Sequence, residues 1–375
     1  MHHSSCSGDA FIGNATCSTT FCKPSRQSEI WQVACDLSGC RWLSLVGVLL
    51  IALSPYDLAI LWAGESQRLT DDGKLKFAPV FIRGGDEIIY SVHHQPKRVV
   101  LMRLKLSDGS RELVLPDGTA SQFDPAYSRD GRFIGYARSG HSVQLSLVIV
   151  DTELEKEYAF DPPGTSRSTA RTPRFTPDGQ RVIFTLNGSR GQQIASVDWQ
   201  GKDLRYLTES SDINAWPCLS PDGSRVVFSS SRSGAYNLYL MDLDGSNLVR
   251  LTRSSTSDMH ATWSPQGDRI AFTSSRNGNY EIYVIDRDGE NLQMVTDHPE
   301  RDDFPAWHPD GNHLVTVAER KGRFDLYLIP VKIPGGAILL QQHVFKLPLL
   351  LIQSSWKLFG LRELILKKIM IQRME

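Results

Sequence analysis

One phrase is written three times between Ser220 and Val331. It reads SPDGSRVVFSSSRSGAYNLYLMDLDGSNLVRLT from Ser220, SPQGDRIAFTSSRNGNYEIYVIDRDGENLQMVT from Ser264, and HPDGNHLVTVAERKGRFDLYLIPV from His308. The turn glycines Gly223, Gly267 and Gly311 fall 44 residues apart, twice running. A fixed period of this length marks a repeat architecture, in which neighbouring units bury one continuous core.

Each unit parses alike. The SPDG phrase is a tight turn: Pro presets φ, Asp bonds back to the backbone and Gly accepts positive φ. An apolar, β-rich run follows (Arg225 to Ser230, Arg269 to Ser274), then a Ser-Arg-x-Gly turn ending at Gly234 or Gly278. An alternating strand (Tyr236 to Asp242, Tyr280 to Asp286) leads through an Asp-Gly turn to a short strand ending in Leu251-Thr252 or Val295-Thr296. With the strand ahead of the SPDG turn this makes four antiparallel strands, the content of a propeller blade.

Prolines recur on the first strand at Pro79, Pro125, Pro173, Pro217 and Pro305, each six residues before a turn glycine, with Ala261 standing in before Gly267. The glycines Gly85, Gly131, Gly179, Gly223, Gly267 and Gly311 are spaced 46, 48, 44, 44 and 44. The pattern predicts an all-β fold, a six-bladed β-propeller of four-stranded antiparallel blades. The last unit has no Leu-Thr strand after Val331, whereas Glu65 to Thr70 ends in Leu69-Thr70 without a blade of its own. The N-terminal strand is therefore expected to complete the last blade from outside and close the ring.

The chain divides into residues 1–41 as an unstructured leader, 42–64 as a signal-like apolar segment, 65–332 as the propeller and 333–375 as an apolar, basic tail. Arg41 followed by the apolar run Trp42 to Leu53 is too short to span a bilayer and suits the core of a signal peptide. That reading predicts a periplasmic or otherwise exported protein; the alternative is a cytoplasmic one, with Tyr56 to Trp62 as a strand. Five of the six cysteines precede the repeats. The pairs Cys17/Cys22 and Cys35/Cys40 are too loosely spaced for a zinc ribbon, so no metal is assigned. Cys218 is read as a buried, inert thiol in the slot of Trp263 and Trp307. Ser355 to Met374 has the composition of a short basic amphipathic helix, and membrane contact is expected only through this tail.

A formal net charge of −1 over 375 residues removes the electrostatic motive for nucleic-acid binding. The repeats resemble the TolB-type branch of WD-like β-propellers, above all SPDGSRVVFSSSRSGAYNLYLMDLDGSNLVRLT, and the resemblance covers Glu65 to Val331. It implies a six-bladed propeller and an extracytoplasmic protein-binding role. The residues before the repeats lack the alternating helix and strand pattern of the α/β domain that precedes the propeller in TolB itself.

Related propellers cap serine peptidases, whose G-x-S-x-G nucleophile elbow is absent here; Gly140-His141-Ser142 comes nearest, but Gln144 stands at the second Gly. No H-E-x-x-H, Walker loop or dinucleotide fingerprint occurs, so no catalytic residue and no cofactor is assigned. A ligand site is expected at one mouth of the channel. Aligned on the turn glycines, the positions ahead of the innermost strands hold Gln122, Asp124, Arg171, Asn214, Asp258, His260, Asp302 and Asp303. This carboxylate-rich ring would suit a cation, a basic peptide or a polar small molecule; His260 is not read as a base or metal ligand. The recurrent Asp178, Asp222, Asp310, Arg232 and Arg276 are assigned to turns and blade packing. The function expected is a monomeric, non-enzymatic scaffold that binds a protein or peptide through the channel mouth or one face. The alternatives are a lyase or hydrolase with a channel site, and the propeller part of a larger peptidase-like protein.

Overall fold

A computed structural model describes residues 66–95, 97–116, 119–140 and 143–331. Apart from one 3-10 turn at Arg83–Gly85, the regular structure of these residues is β-strand. The repeat at 258–294 shows the plan: Asp258–Trp263, Arg269–Ser274, Glu281–Asp286 and Gln293–Met294 pair in that order, all antiparallel. At its first turn the Ser264 hydroxyl accepts the Arg269 N–H at 3.0 Å and donates to Asp268 at 2.6 Å. At the equivalent turn before it, Gly223 holds φ +74°, and a Cβ there would lie 2.7 Å from Pro177 of the preceding repeat. The turn glycine thus serves both the left-handed turn and the close approach of neighbouring units.

The middle strands are apolar on both faces because each sheet is covered on both sides. One core cluster joins Val227, Leu238 and Leu240 of one sheet to Trp263, Phe272 and Ile285 of the next. Burial of this seam, at about 25 cal/mol per Å² of apolar surface, is what stacks sheet on sheet.

The expectation of six separate four-stranded blades is corrected by the hydrogen bonding. The described residues form four discrete four-stranded sheets, and Gln122 to Tyr206 forms one eight-stranded sheet. The cause is local. Between Phe160 and Thr169 the chain carries the Pro162-Pro163-Gly164 stretch within the longest of the glycine spacings, 48 residues. That length lets Thr169 pair in parallel with Leu145 of the neighbouring unit, where the Leu145 N–H donates to the Ser168 carbonyl at 3.3 Å. Residues 1–65 and 332–375, which hold the leader, the signal-like segment and the helical tail of the sequence reading, lie outside the described residues.

The N-terminal strand does fill the vacancy in the last sheet: Gln67 pairs with Leu328 and Arg68 with Tyr327. The recurrent Leu-Thr phrase now has a physical reason. The Thr hydroxyl accepts a third-strand N–H and donates to the side chain one residue earlier on that strand. Thr208 does so with Ile194 and Gln193, Thr252 with Leu238 and Asn237, and Thr296 with Ile282 and Glu281. Thr70 makes the same latch across the chain ends, accepting from Leu326 N–H at 2.9 Å and donating to Asp325 at 2.9 Å.

The closing latch carries more charge than the others. Asp325 also takes Arg68 at 2.6 Å, the Gly73 N–H at 3.2 Å and the wholly buried Lys76 ammonium at 3.2 Å. Burial pushes the Asp325 carboxyl up, but the bonds from Arg68, Thr70 and Gly73 outweigh it and hold the group below the usual carboxylate range. Removing one partner of a buried pair leaves the other uncompensated, at about 3–5 kcal/mol. Asp325→Asn should therefore lower unfolding free energy by about 3 kcal/mol in a denaturant titration at neutral pH, with Asp286→Asn, at a half-exposed turn, as the control that changes little. Equal effects of the two would show that Asp325 carries no closing role.

Candidate functional site

The six strands that lead into the SPDG-type turns share one irregularity. Their pairing with the second strand slips between Phe77 and Val80, Phe123 and Ala126, Arg171 and Arg174, Ala215 and Cys218, Met259 and Thr262, and Asp303 and Ala306. Within each slip one non-glycine residue has left-handed φ, +51° to +54°: Ala78, Asp124, Thr172, Trp216, His260 and Phe304. The residue after it is Pro in every strand but one, where it is Ala261. Proline has no N–H to lose from a ladder, so a bulge is where a strand tolerates it. Left-handed φ costs a residue with a Cβ about 1–2 kcal/mol. A bulge re-aims a side chain, and strain of this kind gathers at functional sites. All six residues line one cavity of about 400 Å³.

Of the eight residues picked from the sequence, Asp124, Arg171 and His260 line this cavity. Asn214, Asp258 and Asp302 are wholly buried in the blades. There they receive the arginines of the Ser-Arg-x-Gly turns and their equivalent: Arg232 to Asn214 at 2.9 Å, Arg276 to Asp258 at 2.9 Å and Arg320 to Asp302 at 2.8 Å. The same guanidinium groups lie over the rings of Tyr239, Tyr283 and Tyr327. Gln122 is buried and accepts the Leu101 N–H at 3.4 Å. Asp303 is buried behind His260.

The acids near the cavity are therefore paired. The two oxygens of Asp124 accept the Nε–H and Nη2–H along one edge of Arg171, and Oδ2 also accepts the Thr172 N–H at 3.1 Å. Burial lowers the Arg171 pKa, but the Asp124 charge outweighs it and raises the group above its ordinary value. Asp303 accepts His260 Nδ1 at 2.7 Å, Thr273 at 2.9 Å, Arg301 at 2.8 Å and the Phe304 N–H at 2.7 Å. Burial pushes its carboxyl up, yet His260, Arg301 and that N–H together bring it down to about 2. With Nδ1–H donating to Asp303, the His260 Nε2 has no hydrogen-bond partner among the described residues.

An arc of aromatic rings also borders the cavity, and the sequence reading missed Phe77, Trp216 and Phe304 in it. Phe123 stacks on Phe77 with centroids 6.1 Å apart, Phe77 meets Phe304 at 6.4 Å, Phe304 stacks on His260 at 4.1 Å, and Trp216 stands edge-on to His260 at 4.8 Å. Arg171 lies over Phe123 at 5.1 Å and ends the arc with a charge. A signal for Trp216, His260 and Phe304 was present: each bulge residue stands seven before its turn glycine, and that one register holds Ala, Asp, Thr, Trp, His and Phe. Cys218 is also corrected. The slot of Trp263 and Trp307 belongs to Leu219, while Cys218 matches Thr262 and Ala306, is only partly buried, and lines a second cavity.

Repeated antiparallel sheets around such a cavity define a β-propeller, and a family model narrows the class. The TolB beta propeller domain matches residues 88–273 and 258–339, and the chain belongs to that family. Among solved structures, a protein assigned as TolB from Agrobacterium tumefaciens is 23% identical, with a TM-score of 0.50, over 56% of this chain and 74% of the other. TolB from Acinetobacter baumannii is 21% identical, with a TM-score of 0.50, over 66% of this chain and 64% of that one. An oligogalacturonate lyase in complex with manganese is 17% identical, with a TM-score of 0.51, over 71% and 80%. At these identities the likeness is one of fold. Among the described residues no three His, Cys, Asp or Glu side chains are placed to hold a metal.

The Asp303 cluster yields a pH prediction. A carboxyl depressed to about 2 stabilises the fold above the unfolded value near 4, and that contribution is lost as pH falls through 2. Denaturant titrations from pH 5 downwards should show wild type losing about 2 kcal/mol more than Asp303→Asn. Parallel losses would mean that the ion cluster adds nothing to stability.

Proposed function

We propose that this protein is an exported, monomeric, non-enzymatic propeller that holds a protein or peptide partner at the channel mouth, its first 64 residues serving export. The observation that carries the reading is the aromatic arc of Phe77, Trp216, Phe304 and His260 facing a cavity whose acids are already paired. Aromatic anchors in a partly desolvated recess are what binding hot spots are made of. Paired acids leave little charge free for chemistry. The Leu/Ile-rich, basic residues 333–375 are proposed as the route of any membrane contact, and nucleic acid is not a proposed partner.

A second reading rests on His260. An imidazole bonded through Nδ1 to a buried carboxylate is the arrangement of a general base, which suits a lyase or hydrolase in the channel. One set of variants separates the two. Peptides selected on the immobilised full chain should bind Trp216→Ala and Phe304→Ala at least tenfold more weakly in calorimetry, at unchanged melting temperature. His260→Gln removes one ring of the arc and should weaken that binding too, and wild type should show no turnover of the bound peptide. Undiminished binding by the aromatic variants places the partner elsewhere, and turnover of the ligand that vanishes in His260→Gln favours the enzyme.

A further inference from the structure

Charge at the channel runs opposite to the sequence expectation. Arg174, on the strand Thr169–Phe175, follows Pro173 and takes the place held in the other inner strands by Val80, Ala126, Cys218, Thr262 and Ala306. It lines the cavity of about 400 Å³ and also the second one, of about 390 Å³. Its one side-chain hydrogen bond among the described residues runs from Nη1 to the Pro173 carbonyl at 2.8 Å. No described carboxylate lies within ion-pair distance of it. Among the described residues the first cavity's single acid, Asp124, is held by Arg171, and no acid lines the second. A half-buried guanidinium therefore faces the channel with most of its five donors unused.

We propose that Arg174 receives the free C-terminal carboxylate of a peptide whose last side chain rests on the aromatic arc. This deepens the peptide-binding reading and rests on it. A guanidinium presents two parallel N–H donors that match a carboxylate, and partial burial strengthens the bond over its value in water. A cavity of about 400 Å³ is at the small end of ligand sites, roughly 300–1,000 Å³, and suits a chain end rather than a folded segment. Capture of a chain terminus by its carboxylate is a known mode of peptide recognition. The bulge puts Trp216 and Phe304 in the same cavity as Arg174, so one short segment can reach both features.

The test uses the full chain and acetylated tripeptides ending in Phe, Leu or Ile, each made as the free acid and as the amide. Calorimetry should show at least one acid binding tenfold or more tightly than its amide. Arg174→Gln should bring that ratio to near one, Arg174→Lys should keep part of it, and Trp216→Ala should weaken acid and amide alike. Melting curves establish that each variant is folded. Equal binding of acid and amide by wild type, or a preference that survives Arg174→Gln, overturns the carboxylate assignment and leaves peptide binding standing. Binding of a uronate disaccharide with no binding of any peptide overturns both. No binding of either probe also overturns the assignment.

Discussion

The hydrogen-bonded ion cluster around Asp325 holds the two ends of the ring together, and the channel exists only while the ring is shut. Arg68 and Asp325 stand 257 residues apart in sequence. The entropy of closing so long a loop grows only with the logarithm of its length, so a compact cluster offsets much of it. The closing strand itself is two residues long, Gln67–Arg68. Backbone pairing over that length is slight, which explains the added side-chain bonds from Thr70, Arg68 and Lys76. Without them the strand Arg323–Pro330 would present an open edge, a template for pairing with another chain.

Given a shut ring, backbone and side chain divide the work. The backbone repeats one irregularity, a left-handed residue seven before each turn glycine, and so aims the same position at the cavity from every inner strand. The side chain at that position is free to differ, and it does. The strain is spread over all the inner strands, and the buried sheets that carry them hold it in place. A rigid frame with variable inward positions is how one fold comes to hold many ligands.

The blades were legible because their cues are local: a 44-residue period, SPDG turns and Leu-Thr endings. The Leu-Thr phrase also marked the closing strand, since Thr70 can latch only onto a third strand that lacks its own fourth. Two features were hidden. The eight-stranded sheet depends on how far the 161–168 connection lets Thr169 run alongside Leu145, which no turn motif encodes. The inward face was hidden because a bulge moves it by one residue. Alignment on the turn glycines gave the right strands, but without the bulge it favoured Asn214, Asp258 and Asp302. Those residues instead serve Arg232, Arg276 and Arg320 inside the blades. The carboxylates so plain in the sequence are held in internal pairs, and the cation Arg174 is left facing the cavity without an ion pair among the described residues.

Amide hydrogen exchange at the closure tests the account most directly. The Leu69 N–H donates to the Leu326 carbonyl, and the Leu326 N–H to Thr70, just as Leu251 and Leu238 do in an internal blade. A ring shut as described predicts that Leu69 and Leu326 exchange as slowly as Leu251 and Leu238, through global unfolding. Exchange at Leu69 and Leu326 faster by orders of magnitude, with the internal pair still protected, would show an open ring and contradict the account.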